Sequence, residues 1–197
     1  MSDLNLLNRL DAYEAINDSA TATAVSSDRD AEFIDIWLAA VSRRIDELCG
    51  PVVVRTVTET YSGDGRDVIY LRTPPAAGVT SVTVDGSVLA ADDYELDNDN
   101  RFIAKLYRNG GIWPSGRRNI VVEYEAGRSA DTETVGPLFK LAASAILRRL
   151  WAREAGAWAR GGDPFEADMQ GGGRFFKTVD PMVAEFLADE MRPPAVA

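Results

Sequence analysis

The 197-residue chain has no histidine and a single cysteine, Cys49. Those two facts remove most catalytic chemistry. Histidine-based triads, histidine proton shuttles and the commonest zinc sites all need an imidazole. One cysteine excludes an internal disulfide and any cysteine cluster. Cys49 falls at the end of an amphipathic segment, where a buried structural thiol is expected rather than a nucleophile. The residues left for chemistry are carboxylates and arginines. Asp92, Asp93, Glu95, Asp97 and Asp99 form the densest acidic run. A calcium loop of the EF-hand kind needs ligands at fixed odd positions, a central glycine and a terminal glutamate, and that pattern is absent. Turn-forming Asp and Asn account for the run more simply. A metal-dependent hydrolase built on it lacks a nucleophile, a base and a recognisable ligand set. No catalytic residue, metal ligand or cofactor site is assigned, and the chain is read as a non-enzyme. Arg148, Arg149, Arg153 and Arg160 gather at the end of a helical pattern. They suit either the negative end of that helix or an acidic partner.

The elements that position these residues follow from period. Asp3 to Asn17 reads as a short amphipathic helix through Leu4, Leu7, Leu10 and Tyr13, with Leu6 and Ile16 beside them and Ser2 or Asp3 as cap. A small, polar linker, residues 18–27, follows. The second helix carries Ile34, Trp37, Leu38, Val41, Ile45 and Leu48, opens on a capping-box-like Ser27 and Asp30, and stops at Gly50-Pro51. From Val52 the period changes to two. Strands are expected near Val52–Tyr61, Val68–Leu71, Ser81–Val84, Val88–Leu89, Tyr94–Leu96 and Phe102–Tyr107. The second should pair back on the first, Asp85-Gly86 should make a tight hairpin, and Asn98–Asn100 should make another turn. The last strand lies within Gly110–Gly127, where Ile120, Val122 and Tyr124 alternate with Val121, Glu123 and Glu125. These strands make a compact antiparallel sheet or small barrel.

Residues 134–158 read as a third helix through Val135, Leu138, Phe139, Ala142, Ile146 and Leu150, with Pro137 in its first turn. Residues 159–197 change composition. Gly161-Gly162 and Gly171-Gly172-Gly173 are joints, Phe165, Phe175 and Phe176 have little local structure to bury them, and Met182, Val183, Phe186 and Leu187 sit on a short helical pattern. An arm that carries apolar anchors generally orders on a partner. The fold class is α+β: a helical core with an inserted antiparallel sheet or barrel and a C-terminal arm. The expected domains are residues 1–27 (helix and linker), 28–158 (core domain, with the β insertion at 52–126) and 159–197 (arm).

Hydrophobic residues make up 46% and charged residues 26%, an ordinary soluble, globular balance. The net charge of −10 opposes gripping nucleic acid, because phosphate binding needs a positive surface, yet it suits a passage along which DNA slides. No apolar run is long enough for a membrane span and no signal-peptide core is visible, so a soluble chain made in a reducing cytoplasm, with no membrane partner, is expected.

The order of these elements, with the wording at several positions, resembles the head-to-tail connector (adaptor) proteins of tailed bacteriophages. The resemblance runs from about Asp30 to Trp151. It includes Leu48-Cys49-Gly50-Pro51, Tyr61-Ser62-Gly63, Val79 to Gly86, Trp113-Pro114-Ser115-Gly116-Arg117-Arg118-Asn119, Tyr124-Glu125-Ala126-Gly127 and Leu150-Trp151. It implies a structural virion protein of the neck, assembled in the host cytoplasm as a homo-oligomeric ring of twelve copies. Such a ring docks on the portal, receives the stopper or tail on its other face and surrounds double-stranded DNA without reading its sequence. By that resemblance Phe165, Phe175, Phe176, Met182, Phe186 and Leu187 would anchor the arm to the portal. Arg148, Arg149 and Arg153 would pair between subunits or with portal carboxylates. Asp64, Arg66, Trp113 and Arg117 would meet the next ring. The alternative within the same setting is a stopper or tail terminator; a carbohydrate- or protein-binding module is the alternative outside it.

Overall fold

The computed structural model describes residues 5–17, 28–159 and 181–191. The fold is α+β, and the chain divides into two compact units: residues 1–49 with 132–193, and residues 50–131. The helical unit is thus discontinuous in sequence, with the β unit inserted between its second and third helices.

In the helical unit α1 is Arg9–Asn17, α2 is Asp28–Cys49, α3 is Pro137–Ala159 and α4 is Pro181–Phe186. α1 starts later than its pattern suggested. Asn8 caps it, its Oδ1 accepting the Asp11 amide at 2.8 Å, as an N-cap does for the third helical residue. Leu6 and Leu7 therefore precede the helix and are buried, together with Ala12, Ala15 and Ile16, while Leu10 is 73% exposed rather than part of the buried stripe. α2 buries Ile34, Leu38, Val41, Ile45 and Cys49. α3 begins at Pro137, three residues later than expected, with the proline as its first residue, and its buried face is Phe139, Ala142, Ala143, Leu147, Leu150 and Trp151; Leu138 is exposed. Of the expected stripe, Phe139, Ala142 and Leu150 are on the buried face, Val135 is buried just ahead of the helix, and Leu138 and Ile146 are not on it. The observed one follows the alanines, whose small side chains let α1 and α2 approach α3. Trp37 meets Trp151 edge-on, with ring centroids 6.1 Å apart. No helix among the described residues is long and apolar enough to cross a membrane.

The β unit has seven strands: β1 Arg55–Gly63, β2 Val68–Leu71, β3 Ala76–Val84, β4 Ser87–Val88, β5 Tyr94–Asn100, β6 Ile103–Arg108 and β7 Gly116–Ala126. They form two antiparallel sheets, ordered β1-β7-β3-β4 and β2-β6-β5, rather than one sheet or a barrel. β2 pairs with β6 and not back on β1. The four residues Asp64-Gly65-Arg66-Asp67 carry the chain across to the second sheet instead of closing a hairpin. β7 is the hub: it pairs with β1 on one side and β3 on the other, and its alternation is as the sequence implied, with Ile120, Val122 and Tyr124 buried. The other sheet adds Ile69, Leu71, Ala104 and Leu106 to the same core.

The Asp85-Gly86 hairpin has the positive φ at both residues, 50° and 82°, that a type I′ turn demands. The turn placed at Asn98–Asn100 lies further on. β5 runs to Asn100, whose side chain accepts the Phe102 amide at 2.8 Å, and the reversal falls at Arg101-Phe102. Where the chain enters and leaves this unit the segments lie side by side, the Val54 amide donating to the Ser129 carbonyl at 2.8 Å and the Arg128 amide to Val52 at 2.9 Å.

Candidate interaction surfaces

Three groups of residues were expected to carry contacts, and the structure treats each differently. Arg148 was expected to face a partner. Its Nε instead donates to the Ala15 carbonyl at 2.6 Å. Ala15 lies in the last turn of α1, where carbonyls have no helical partner, so Arg148 satisfies one of them and ties α3 to α1. Arg149 is exposed one position on. The Arg153 side chain lies outside the described residues. Nearby, Lys140 pairs with Asp11 at 3.6 Å and Arg9 with Asp35, which lowers the Asp35 carboxyl and raises the Arg9 guanidinium from their ordinary values through their shared hydrogen bonds.

Of the arm anchors, Phe165, Phe175 and Phe176 and the Met182 side chain lie outside the described residues. Those that are described turn inward. α4 packs on α3, with Val183 and Leu187 buried and Phe186 half-buried. Leu187 therefore serves its own unit in this state rather than projecting as an anchor. Its period was legible; that α3 offers a complementary face was not.

The third group is the loop end of the β unit, made by Gly63–Asp67, Asn109–Ser115 and the start of β7. Trp113 is not a surface residue here. It is fully buried, its Nε1 donates to the Leu106 carbonyl at 3.2 Å and its amide to the Arg66 carbonyl at 2.7 Å. A tryptophan between glycines and prolines reads as an exposed loop residue. In three dimensions it belongs to the β-unit core, and its amide bond to Arg66 ties the two loops together. Asp64 and Arg66 pair with each other at 3.3 Å, and Arg117 is exposed. The residue whose importance the sequence reading missed is Asn119. Its Oδ1 accepts the Gly63 amide at 3.0 Å and its Nδ2 donates to the Pro114 carbonyl at 3.0 Å, so one side chain joins both loops to β7. Gly63 is required here, since a Cβ would lie 1.9 Å from the Pro114 oxygen.

One polar network is half-buried, with Tyr61 and Tyr124 in the core and Arg72 at the surface. Glu59 accepts bonds from the Tyr61 hydroxyl, the Thr73 hydroxyl (2.8 Å) and the Arg72 amide (3.1 Å), while the Tyr124 hydroxyl accepts the Thr73 amide at 3.2 Å. The Arg72 guanidinium stacks 4.6 Å from the Tyr61 ring centre. Burial pushes the Glu59 carboxyl up, but the Tyr61, Arg72 and Thr73 bonds outweigh it and hold it below its ordinary value. Burial, then the Glu59 carboxylate, raises Tyr61 above its usual range, and burial pushes Tyr124 up to about 12. Every member has a donor or acceptor, and the network pins the β2–β3 link to β1 and β7. The acidic run is dispersed: Asp97 pairs with Lys105 at 2.9 Å, Asp93 with Arg108 at 3.7 Å, and no three potential metal ligands come together among the described residues.

No protein-family model matches the chain, and no curated protein matches it in sequence. Solved structures do match in fold. A chain in the neck of an empty GTA particle, computed with C6 symmetry, superposes with a TM-score of 0.63 at 15% identity, covering 100% of this chain and 96% of that one. A chain in the virion of a native gene transfer agent (GTA) particle gives 0.65 at 16% identity, covering 98% and 92%. The chain thus shares the fold of these two gene transfer agent particle chains.

Proposed function

We propose that the protein is a non-enzymatic structural component of a virion neck: a head-to-tail adaptor that forms a homo-oligomeric ring, docks on the portal and links the DNA-filled head to the stopper or tail. The observation that carries this reading is the end-to-end likeness of fold to a neck chain. A full-length match includes both the inserted β unit and the helices on either side of it, whereas a shared small β domain alone would say little, because such domains host many functions. The net charge of −10 supports it, since an acidic lumen lets DNA pass without adhering. In this reading the copy number is twelve. The helical unit makes the ring body, Arg149 and Arg153 meet neighbouring subunits, and Phe165, Phe175 and Phe176 reach the portal. Asp64, Arg66 and Arg117, at the loop end of the β unit, face the next ring.

The test is electron microscopy of the purified protein mixed with its portal ring. A second ring stacked coaxially on the portal is expected, and its symmetry gives the copy number. Capping of isolated tail tubes with no portal binding would make the protein a tail terminator instead, and binding to neither would overturn the neck reading.

A further inference from the structure

The loop end of the β unit carries an irregularity that pairing alone does not require. Between the pairs Tyr61–Ile120 and Gly63–Gly116, β1 supplies the one residue Ser62 while β7 supplies three, Arg117, Arg118 and Asn119. An insertion of this kind bends the strand and re-aims its side chains. Arg118 takes φ 53°, a left-handed conformation that costs a non-glycine residue about 1 kcal/mol or more. The bulge is held in that state from several sides. Besides the two Asn119 side-chain bonds, the Arg118 amide donates to Ser62 Oγ at 2.9 Å and the Asp85 amide to the Asn119 carbonyl at 2.8 Å.

What this framework holds out is two consecutive arginines. Arg117 and Arg118 are both exposed, and neither side chain has a hydrogen-bond or ion-pair partner among the described residues. The neighbouring cations differ: Arg66 is paired with Asp64 and Arg108 with Asp93. In a chain of net charge −10, two consecutive arginines without a side-chain partner among the described residues, on a strained bulge pinned by four hydrogen bonds, are the exception.

We propose that the Arg117–Arg118 bulge is a preformed receptor for a carboxylate-bearing segment of another protein. A guanidinium presents a planar fork of donors that matches a carboxylate in bidentate fashion, and holding two of them on a fixed backbone reduces the ordering cost of binding. A run of DNA phosphates fits less well, because Asp64, Asp67 and Asp85 occupy the turns that flank the bulge and would repel a continuous polyanion. Discrete glutamate or aspartate side chains can be placed between them. The inference rests on the neck reading only for which protein supplies the carboxylates.

The experiment is amide NMR of the full chain titrated with a hexaglutamate peptide and, separately, with a 12-base-pair DNA duplex. The peptide is expected to shift the signals of Gly63 and Gly116–Asn119, with binding weakened by added salt and by at least about tenfold in the R117A/R118A double variant. Asn119→Ala keeps both arginines but releases the bulge, and weaker peptide binding with an otherwise native spectrum is expected. Overturning results are no peptide shift at those residues up to millimolar concentration, unchanged binding in R117A/R118A, or shifts there with duplex but not with peptide. Undiminished binding by a folded Asn119→Ala protein would overturn the preformed character of the site. None of these outcomes depends on portal stacking, so failure here and failure of the neck reading are separable.

Discussion

Arg148 Nε and the Ala15 carbonyl, 133 residues apart in sequence, meet at 2.6 Å. The bond closes the helical unit across the residues inserted in sequence, joining the middle of α3 to the last turn of α1. Arg148→Ala should therefore cost stability, about 1 kcal/mol because the arginine is largely exposed, while Arg149→Ala should change it by less than about 0.5 kcal/mol. Urea unfolding of the two variants checks this; equal effects would remove the special role of Arg148.

Leu187 is fully buried within the helical unit. Leu187→Ala is expected to destabilise by about 2–4 kcal/mol, the usual range for emptying a buried leucine site. Deleting residues 159–197 would strip α4 from α3 as well, so loss of portal docking by that truncation would not isolate the arm. The triple variant F165A/F175A/F176A is the cleaner probe. It should lower portal co-sedimentation with little change in the urea midpoint, and normal docking would remove those residues from the portal contact.

Gly63 has no room for a side chain beneath Pro114. Gly63→Ala should destabilise by more than about 2 kcal/mol, as a forced backbone shift at a packed junction does, and should alter near-ultraviolet circular dichroism through Trp113. A native spectrum and an unchanged melting temperature would show that the two loops can separate freely.

The Glu59–Tyr61–Tyr124 network predicts loss of stability at both ends of the pH scale. Glu59 titrates below its ordinary value when folded, so its contribution is present above pH 4.5 and is lost as pH falls through the depressed folded value. Tyr124 is raised, so its contribution is present below pH 10 and is lost as pH rises towards 12, by up to about 3 kcal/mol. Urea midpoints against pH should fall on both sides. Glu59→Gln should flatten the acid limb that Glu59 contributes, and Tyr124→Phe the alkaline one; limbs unchanged in these variants would remove the network from the pH response.

The sequence by itself determined what local physics controls. The absence of histidine and the single cysteine bounded the chemistry. The period-two alternation of Ile120, Val122 and Tyr124 was read correctly because one face of β7 is buried and a strand has no other way to sort its side chains. The Asp85-Gly86 turn and the Gly50-Pro51 stop were legible for the same reason. Only the tertiary structure decided which strands pair, since the β2 sequence fits β1 and β6 equally well and the choice falls to where the core closes. It also decided that Trp113 is core, that Leu10 and Leu138 face outward, and that Leu187 packs on α3; burial depends on what lies opposite, and no local period carries that information. Asn119 was invisible for a further reason. Its role is to join Gly63 and Pro114, segments that become neighbours only when β1 and β7 lie side by side.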